Sequence, residues 1–244
     1  MMSNTLLEQL DSVLARSGFC FAQAHQIRAL LERTDSLRDW DQFSASWDHL
    51  AEDTYLAAHG HRRKRRHAAY VVSANLTVSR LAHQPHFQSR CYNKLQGGMD
   101  RWFEPITPIA GSSVSLHTIL HFGAFFFNSV AREAHDWRIE VHQFRIEASQ
   151  TEAGSPTPEG IHRDGVDYVL VLLVKRSNVS SGTTTIHSTE CDLLDSFTLR
   201  DPLDTALLDD HRVLHGVTMI HPLDSGLPAW RDVLVVTFKR IEVS

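Results

Sequence analysis

Arg138-Ile139-Glu140-Val141-His142-Gln143-Phe144-Arg145-Ile146-Glu147-Ala148 runs largely by alternation of polar and apolar residues. Successive side chains of a strand leave opposite faces of the backbone, so a period of two reads as a strand with one face turned inward. The same period recurs in 161–175, 183–187, 195–199, 205–208, 213–219 and 232–241. Turn-forming stretches separate these segments: Gly154-Ser155-Pro156-Thr157-Pro158, Asn178 to Gly182, and His221-Pro222 to Pro228. Strands at this spacing with no helical segment between them form an antiparallel sandwich or barrel, not a parallel α/β sheet.

Upstream of residue 138 the pattern is helical and mixed. Leu6, Leu7, Leu10, Val13 and Leu14 recur at helical spacing after a Ser3 or Asn4 cap, and Gly18 stops them. Ile27, Leu30 and Leu31 mark a second helix over 22–33, and residues 113–134 form a third, largely buried one. There the Phe125-Phe126-Phe127 run is read as core. Tyr70-Val71-Val72 and Leu76-Thr77-Val78 look like short strands, and Gly97-Gly98 punctuates a loop. The expected fold is α+β, one domain over 1–244, with residues 1–137 helical and mixed and 138–244 a β core.

Composition narrows the function classes. With 42% hydrophobic and 22% charged residues among 244, the chain can bury a core. Its net charge of -5 offers no general attraction to nucleic acid or anionic lipid. The basic run His61 to His67 stands alone, and a solvated loop or a seat for an anionic substrate group explains it better than a nucleic-acid patch. No stretch approaches the roughly 18 consecutive apolar residues of a membrane span, and the start lacks a leader pattern. Cys20, Cys91 and Cys191 show no CxxC spacing and read as ordinary thiols. A cytoplasmic protein with a small-molecule partner is expected, without nucleic acid or membrane; its oligomeric state is not legible.

The chemistry gathers around His162-Arg163-Asp164. In a chain with 16 histidines one His-x-Asp is expected about once by chance, so context must carry it. It opens a long apolar strand, and residues i and i+2 of a strand share a face, so two ligands would converge. His215, on another β-like segment 53 residues on, is the candidate third ligand. Two imidazoles and one carboxylate on one face of a metal match non-heme Fe(II) oxygenases, which keep three positions open. Arg231, at the head of the last strand, has the planar fork to hold a carboxylate of a cosubstrate. Two other classes use the same residues: a metal-binding sensory or stress protein without turnover, and a zinc hydrolase with an activated water.

Several ordered segments resemble the bacterial 2-oxoglutarate- and Fe(II)-dependent dioxygenase family that includes isoleucine hydroxylases acting on free L-amino acids. They are Pro158 to Tyr168, Asp209 to Thr218 and Arg231 to Phe238, with Arg62 to Arg66, Tyr92-Asn93, Gly97 to Ile106 and His142 to Ile146 upstream. The resemblance covers roughly residue 45 to the end and implies a double-stranded β-helix (jelly-roll, cupin-like) core. It implies His162, Asp164 and His215 as iron ligands, Arg231 as the grip on 2-oxoglutarate, and O2 as the oxidant. The implied reaction hydroxylates or sulfoxidises a small substrate and releases succinate and CO2; the Asp164 carboxylate takes the place a halide would need in a halogenase.

A free amino acid would need buried partners for both its charges. Gln143 and Arg145, on one face of their strand, are the candidates, together with Arg62 to Arg66. Two departures from the family pattern fall near the site: Ser180-Ser181-Gly182 where paired glycines are usual, and Met219 where proline is common. They bear on loop shape and substrate, not on the metal ligands.

Overall fold

The computed structural model describes residues 2–58 and 62–242; His61 of the basic run and the last two residues of the expected domain lie outside them. In chain order the N-terminal part carries α1 (Met2–Ser17), β1 (Phe19–Ala22), α2 (Ala24–Thr34), α3 (Trp40–Ala45), β2 (Ala51–Glu52) and α4 (Thr54–Ala57). It continues through β3 (Arg63–Val72), β4 (Val78–Arg80), β5 (His86–Phe87), β6 (Asp100–Arg101), α5 (Pro108–Gly111) and α6 (Val114–Ala131). The strand-rich part holds β7 (Trp137–Ala148), β8 (Tyr168–Ser177), β9 (Val179–Ser181), β10 (Thr183–His187), β11 (Leu193–Thr198) and β12 (Thr205–Asp209). β13 (Leu214–Val217), β14 (Ile220–Pro222) and β15 (Ala229–Arg240) complete it.

The main antiparallel sheet has the order β1-β12-β8-β15-β7-β3-β2, with β4 beside β3. Smaller antiparallel sheets, β11-β10-β13 and β14-β9, stand apart from it. Helices and antiparallel sheets in this arrangement fit a jelly roll. β7 and β15 lie close to their expected places, whereas β8 begins at Tyr168 and not at 161, and β3 runs over Arg63–Val72 where 70–72 alone reads as strand; from the helical and mixed part before residue 138, β1, β2, β3 and β4 all belong to the main sheet. The Arg63–Arg66 part of the basic run is strand, not solvated loop. Its cations have intramolecular partners: Arg63 with Asp53, Lys64 with Glu147, and Arg66 with the Pro105 and His49 carbonyls.

The two faces of the main sheet do different work. Ile139 and Val141 of β7, Leu170 and Leu172 of β8, and Leu234, Val236 and Phe238 of β15 join Leu10, Leu14, Ile27, Leu31, Ile119 and Phe126 in one buried cluster. This is the face the helices cover. α6 begins firmly: Ser113 caps Leu116 N–H, and the Asp39 carboxylate accepts the N–H groups of Val114 and Ser115. By length and composition Pro108–Ala131 could cross a membrane, yet Phe126 and Phe127 are buried in the core and Phe125 is exposed.

α6 reaches the sheet through a glycine. A Cβ on Gly123 would meet Phe238 Cζ at 2.4 Å, closer than packed carbons allow. Gly123→Ala gains about 1 kcal/mol of helix propensity but overpacks a filled core, which costs about 1–3 kcal/mol. We expect a net loss of stability, read as a lower urea midpoint at unchanged m; a raised midpoint would show the contact to be soft.

Candidate metal centre and its cavity

Residues of both sheets line one cavity of about 590 Å3. From the main sheet come Glu140, His142, Phe144 and Ile146 of β7, Val171 of β8, and Arg231, Val233 and Val235 of β15. Facing them are His215 and Val217 of β13 and the 156–166 segment.

His162 and His215 are joined backbone to backbone. Each donates its N–H to the other's carbonyl at 2.9 Å, forming an antiparallel bridge outside the regular strands. Directly opposed residues in such a pair project to the same side, and the two rings lie 4.5 Å apart between centroids. Asp164 arrives by a different route from the one its spacing suggests. The regular strand starts only at Tyr168, and Asp164 sits in irregular backbone that turns at the bend over 165–167. Gly165 takes φ +84°, and a Cβ there would strike the Tyr92 ring at 2.4 Å. The Asp210 carboxylate clasps this turn: Oδ1 accepts Asp164 N–H at 2.9 Å, and Oδ2 accepts the N–H groups of Gly165 at 2.7 Å and Val166 at 3.1 Å. Gln88 Nε2 adds a bond to Asp164 Oδ1 at 3.2 Å.

The turn thereby delivers the carboxylate between the rings. Asp164 Oδ1 lies 3.7 Å from His162 Nε2, and Oδ2 lies 3.7 Å from His215 Nε2. One ligand atom from each of the three residues falls within 4.8 Å of the others, a set that can hold a metal ion. Ligand atoms at ordinary bond lengths on one octahedral face stand about 3 Å apart, so small side-chain rotations complete the set. His162 Nδ1 donates to the Gly160 carbonyl at 3.0 Å, which directs the Nε2 lone pair into the cavity.

Charge follows the same geometry. Burial pulls the His162 imidazole down, but the Asp164 carboxylate and Glu159 outweigh it and take its pKa to about 9. Burial would raise Asp164; the hydrogen bond and charge of His162, with His215, hold it well below the usual carboxylate range. Burial and the charge of His162 push His215 down to about 4. Burial and the nearby Asp164 charge lift Asp210 to about 6. The pattern is a carboxylate and two lone-pair nitrogens for which a proton and a metal cation compete.

Arg231 lies in the same cavity wall, 1% exposed, and among the described residues its Nε and Nη2 have no hydrogen-bond partner. Burial, then the charge of Arg176, lowers its pKa to about 10, so it remains a cation at neutral pH. Ser181 (φ +60°) and Gly182 (φ +70°) turn beside it; a Cβ on Gly182 would lie 3.5 Å from Arg231 Cδ. Ser181 thus holds a left-handed conformation that glycine adopts more readily. Met219 is exposed between β13 and β14.

Gln143 and Arg145, expected to face the substrate, do not line this cavity. Gln143 Nε2 donates to Ser46 Oγ at 2.8 Å, and Arg145 makes a two-pronged pair with Asp232 and a third bond to Asp48. Their strand is polar on both faces at this point, and it is their neighbours Glu140, His142, Phe144 and Ile146 that look inward. Arg63 and Arg65 of the basic run also line the cavity. The sequence reading passed over Asp210, Gln88, Arg101 and a set formed by His67, His86, Glu140 and His142. Asp210 stood inside a quoted motif, but nothing in its spacing reveals that it caps a turn 46 residues away.

Removing the Asp210 clasp leaves three backbone N–H groups unpaired and frees the Asp164 turn. Loss of such an outer support typically weakens metal binding about 10–100-fold. We expect Asp210→Ala to lower Fe(II) affinity at least tenfold with the far-ultraviolet circular dichroism unchanged; wild-type affinity in an anaerobic metal titration would remove the residue from this role.

Comparison with known proteins gives these residues their setting. The chain is 23% identical over 237 residues to 3(1)-hydroxy-L-isoleucine 4-dioxygenase of Pantoea ananatis, covering 94% of each. The crystal structure of a bsmA homolog from Methylobium petroleophilum PM1 superposes with a TM-score of 0.86 at 34% identity, over 96% of this chain and 93% of that one. IDO from Bacillus thuringiensis shares the fold, with a TM-score of 0.75 at 21% identity over 97% of this chain and all of that one. The 2OG-Fe dioxygenase family model matches residues 44–237, and the chain belongs to that family: it is a 2-oxoglutarate-dependent non-heme iron dioxygenase that uses Fe(II), 2-oxoglutarate and O2.

Proposed function

We propose that the protein hydroxylates or sulfoxidises a free L-amino acid, with Fe(II) held by His162, Asp164 and His215 and with 2-oxoglutarate gripped by Arg231. The observation that carries this reading is the company of the three donors and Arg231 in one cavity. A fully buried guanidinium with two unpaired nitrogens is costly to hold, and a dicarboxylate brings the two oxygens that its fork matches. Val171, Val217, Val233 and Ile146 supply apolar walls for the methylene chain between the carboxylates. Arg176, the nearest charge acting on Arg231, is itself positive and bonds the carbonyls of Leu199, Val179 and Ser181, so the corner favours an anion.

With both groups bound, iron and 2-oxoglutarate supply oxygen activation coupled to oxidative decarboxylation, giving succinate and CO2. The protein's share is placement. The His162–His215 bridge holds two ligands in register, Asp210 and Gln88 aim the third, and Arg231 sets the depth at which the oxoacid sits. A cavity of about 590 Å3 suits a small molecule beside the cosubstrate. The activity named for the Pantoea relative supports an amino acid as that molecule. We also read the facing sheets as a double-stranded β-helix and the chain as one domain, since strands from before residue 73 complete the main sheet.

The test is to load the protein with Fe(II) under anaerobic conditions, supply 2-oxoglutarate and individual L-amino acids, admit oxygen and measure succinate. Succinate that depends on oxygen and rises with one amino acid supports the reading; a zinc hydrolase would be indifferent to oxygen and to the oxoacid. Asp164→Ala should abolish succinate release with the fold intact, because its side chain serves only the cavity. Arg231→Ala should raise the 2-oxoglutarate concentration needed for half-maximal rate by tenfold or more, and an unchanged requirement would sink its assignment.

A further inference from the structure

A second polar cluster stands in the same cavity, away from Arg231. Glu140 of β7 is surrounded by three imidazoles: His86 Nδ1 bonds its Oε2, with His67 Nε2 at 3.4 Å and His142 Nε2 at 3.8 Å from the same oxygen. Four donor atoms here lie within 4.8 Å of one another, as a metal site requires. The hydrogen bonds point elsewhere. Arg65 Nη2 lies 2.8 Å from His142 Nδ1. A guanidinium can only donate, so Nδ1 accepts and the ring hydrogen sits on Nε2, 3.8 Å from Glu140 Oε2, which leaves no lone pair there for a metal. Guanidinium charges of Arg63, Arg65 and Arg101 stand close by and act on one another. The cluster is built to keep a carboxylate ionised. Burial would raise Glu140, and the hydrogen bonds and charges of His67 and His86 hold it far below its ordinary range. Among the described residues the ionic neighbour of its other oxygen, Oε1, is Arg138 at 3.8 Å.

Arg101 of β6 presents the opposite charge. It is 2% exposed; Nη1 donates to Gln96 Oε1 at 2.8 Å and Nη2 to Gln88 Oε1 at 3.1 Å, while Nε has no partner. Among the described residues no carboxylate stands within ion-pair distance of it; Asp53, Glu159 and Glu140 act on it only from farther away. Arg101, Arg65, Glu140 and Gln88 all line the cavity. His142, bonded to Arg65 on one side and 3.8 Å from Glu140 on the other, stands between those two residues. Gln88, which takes Arg101 on its oxygen and gives its amide to Asp164, ties the positive end to the metal centre.

We propose that Arg101 and Glu140 are the two ends of a receptor for a zwitterion: Arg101, backed by Arg65, takes the α-carboxylate of the substrate, and Glu140 takes its α-ammonium. This rests on the oxygenase reading of the cavity and adds which residues select the substrate. The α-carboxylate would meet Arg101, which has no carboxylate at ion-pair distance among the described residues, and the α-ammonium would meet the Oε1 edge of Glu140, where the ionic neighbour is Arg138 at 3.8 Å; an acylated amine or an amide would leave one of these groups unpaired. Peptides and N-acylated amino acids are excluded by the same rule.

The test compares three pools on the anaerobic complex of the protein with Fe(II) and 2-oxoglutarate: L-amino acids, their N-acetyl derivatives and their C-terminal amides, with affinity read from the shift in melting temperature. The wild type should bind the best free amino acid at least tenfold more tightly than its N-acetyl or amide form. Glu140→Gln should bring the free to N-acetyl ratio towards one, and Arg101→Gln should do so for the free to amide ratio. If Arg101→Gln does not fold, Arg101→Lys, which keeps the charge and loses the fork, should reduce the free to amide ratio; a wild-type ratio overturns the proposal. Equal binding of all three pools by a wild type that forms succinate overturns the receptor alone. A wild type that forms no succinate under any pool overturns the amino-acid substrate of the proposed function instead. A second equivalent of Zn(II) or Fe(II) per chain, lost in Glu140→Gln, would make the cluster a metal site and also end the proposal.

Discussion

The site depends on one reciprocal pair of backbone hydrogen bonds, His162 N–H to His215 carbonyl and back, each 2.9 Å long. Because they are main-chain bonds they fix the two imidazoles without drawing on either ring, and both rings stay free to present nitrogens to the cavity. The pair also joins two pieces of chain that reach it by separate paths. β13 comes from the β11-β10-β13 sheet, and the 156–166 segment comes off β7 through a long turn. Asp164 then needs a constraint of its own, and Asp210 provides it from the residues that lead into β13. One short stretch, 209–217, thereby positions all three members of the candidate metal set.

A second theme is the use of buried charge without a matching partner. Salt bridges elsewhere in the chain are closed: Asp53 with Arg63, Asp232 with Arg145, Asp167 with Arg240. The cavity differs. Arg231 and Arg101 are each buried, and among the described residues two nitrogens of Arg231 and one of Arg101 have no hydrogen-bond partner. Unpaired buried cations lower stability and are retained where a ligand completes them. The closed pairs, among them Arg63 and Arg240 of the cavity wall itself, hold the fold and leave no charge for a ligand, in contrast to Arg231 and Arg101.

Much of this was legible in the sequence. β7, β15 and the three longer helices follow from their periods, and the order of His-x-Asp, His215 and Arg231 points to residues that share one cavity. What stayed hidden has physical causes. The route of Asp164 could not be read, because a turn held by a carboxylate from residue 210 has no local signature. β9 and β14 are three residues each, too short for a period. The inward face of β7 is not legible because its apolar residues change sides: Ile139 and Val141 pack under the helices, while Phe144 and Ile146 line the cavity. A rule that assigns the inner face by hydrophobicity fails on a strand that serves a core on one side and a reaction chamber on the other. The basic run misled in the same way, since its alternate residues point to different surroundings within a strand.

That two-sidedness of the central strands has an evolutionary corollary. On β7 and β15, odd and even positions answer to separate demands, one set to the helices and the other to whatever molecule is being oxidised. Drift in the cavity set can retune chemical appetite while the helix-facing set keeps the scaffold upright. A lineage with this architecture can therefore explore new reactants by changing every second residue along two neighbouring ribbons.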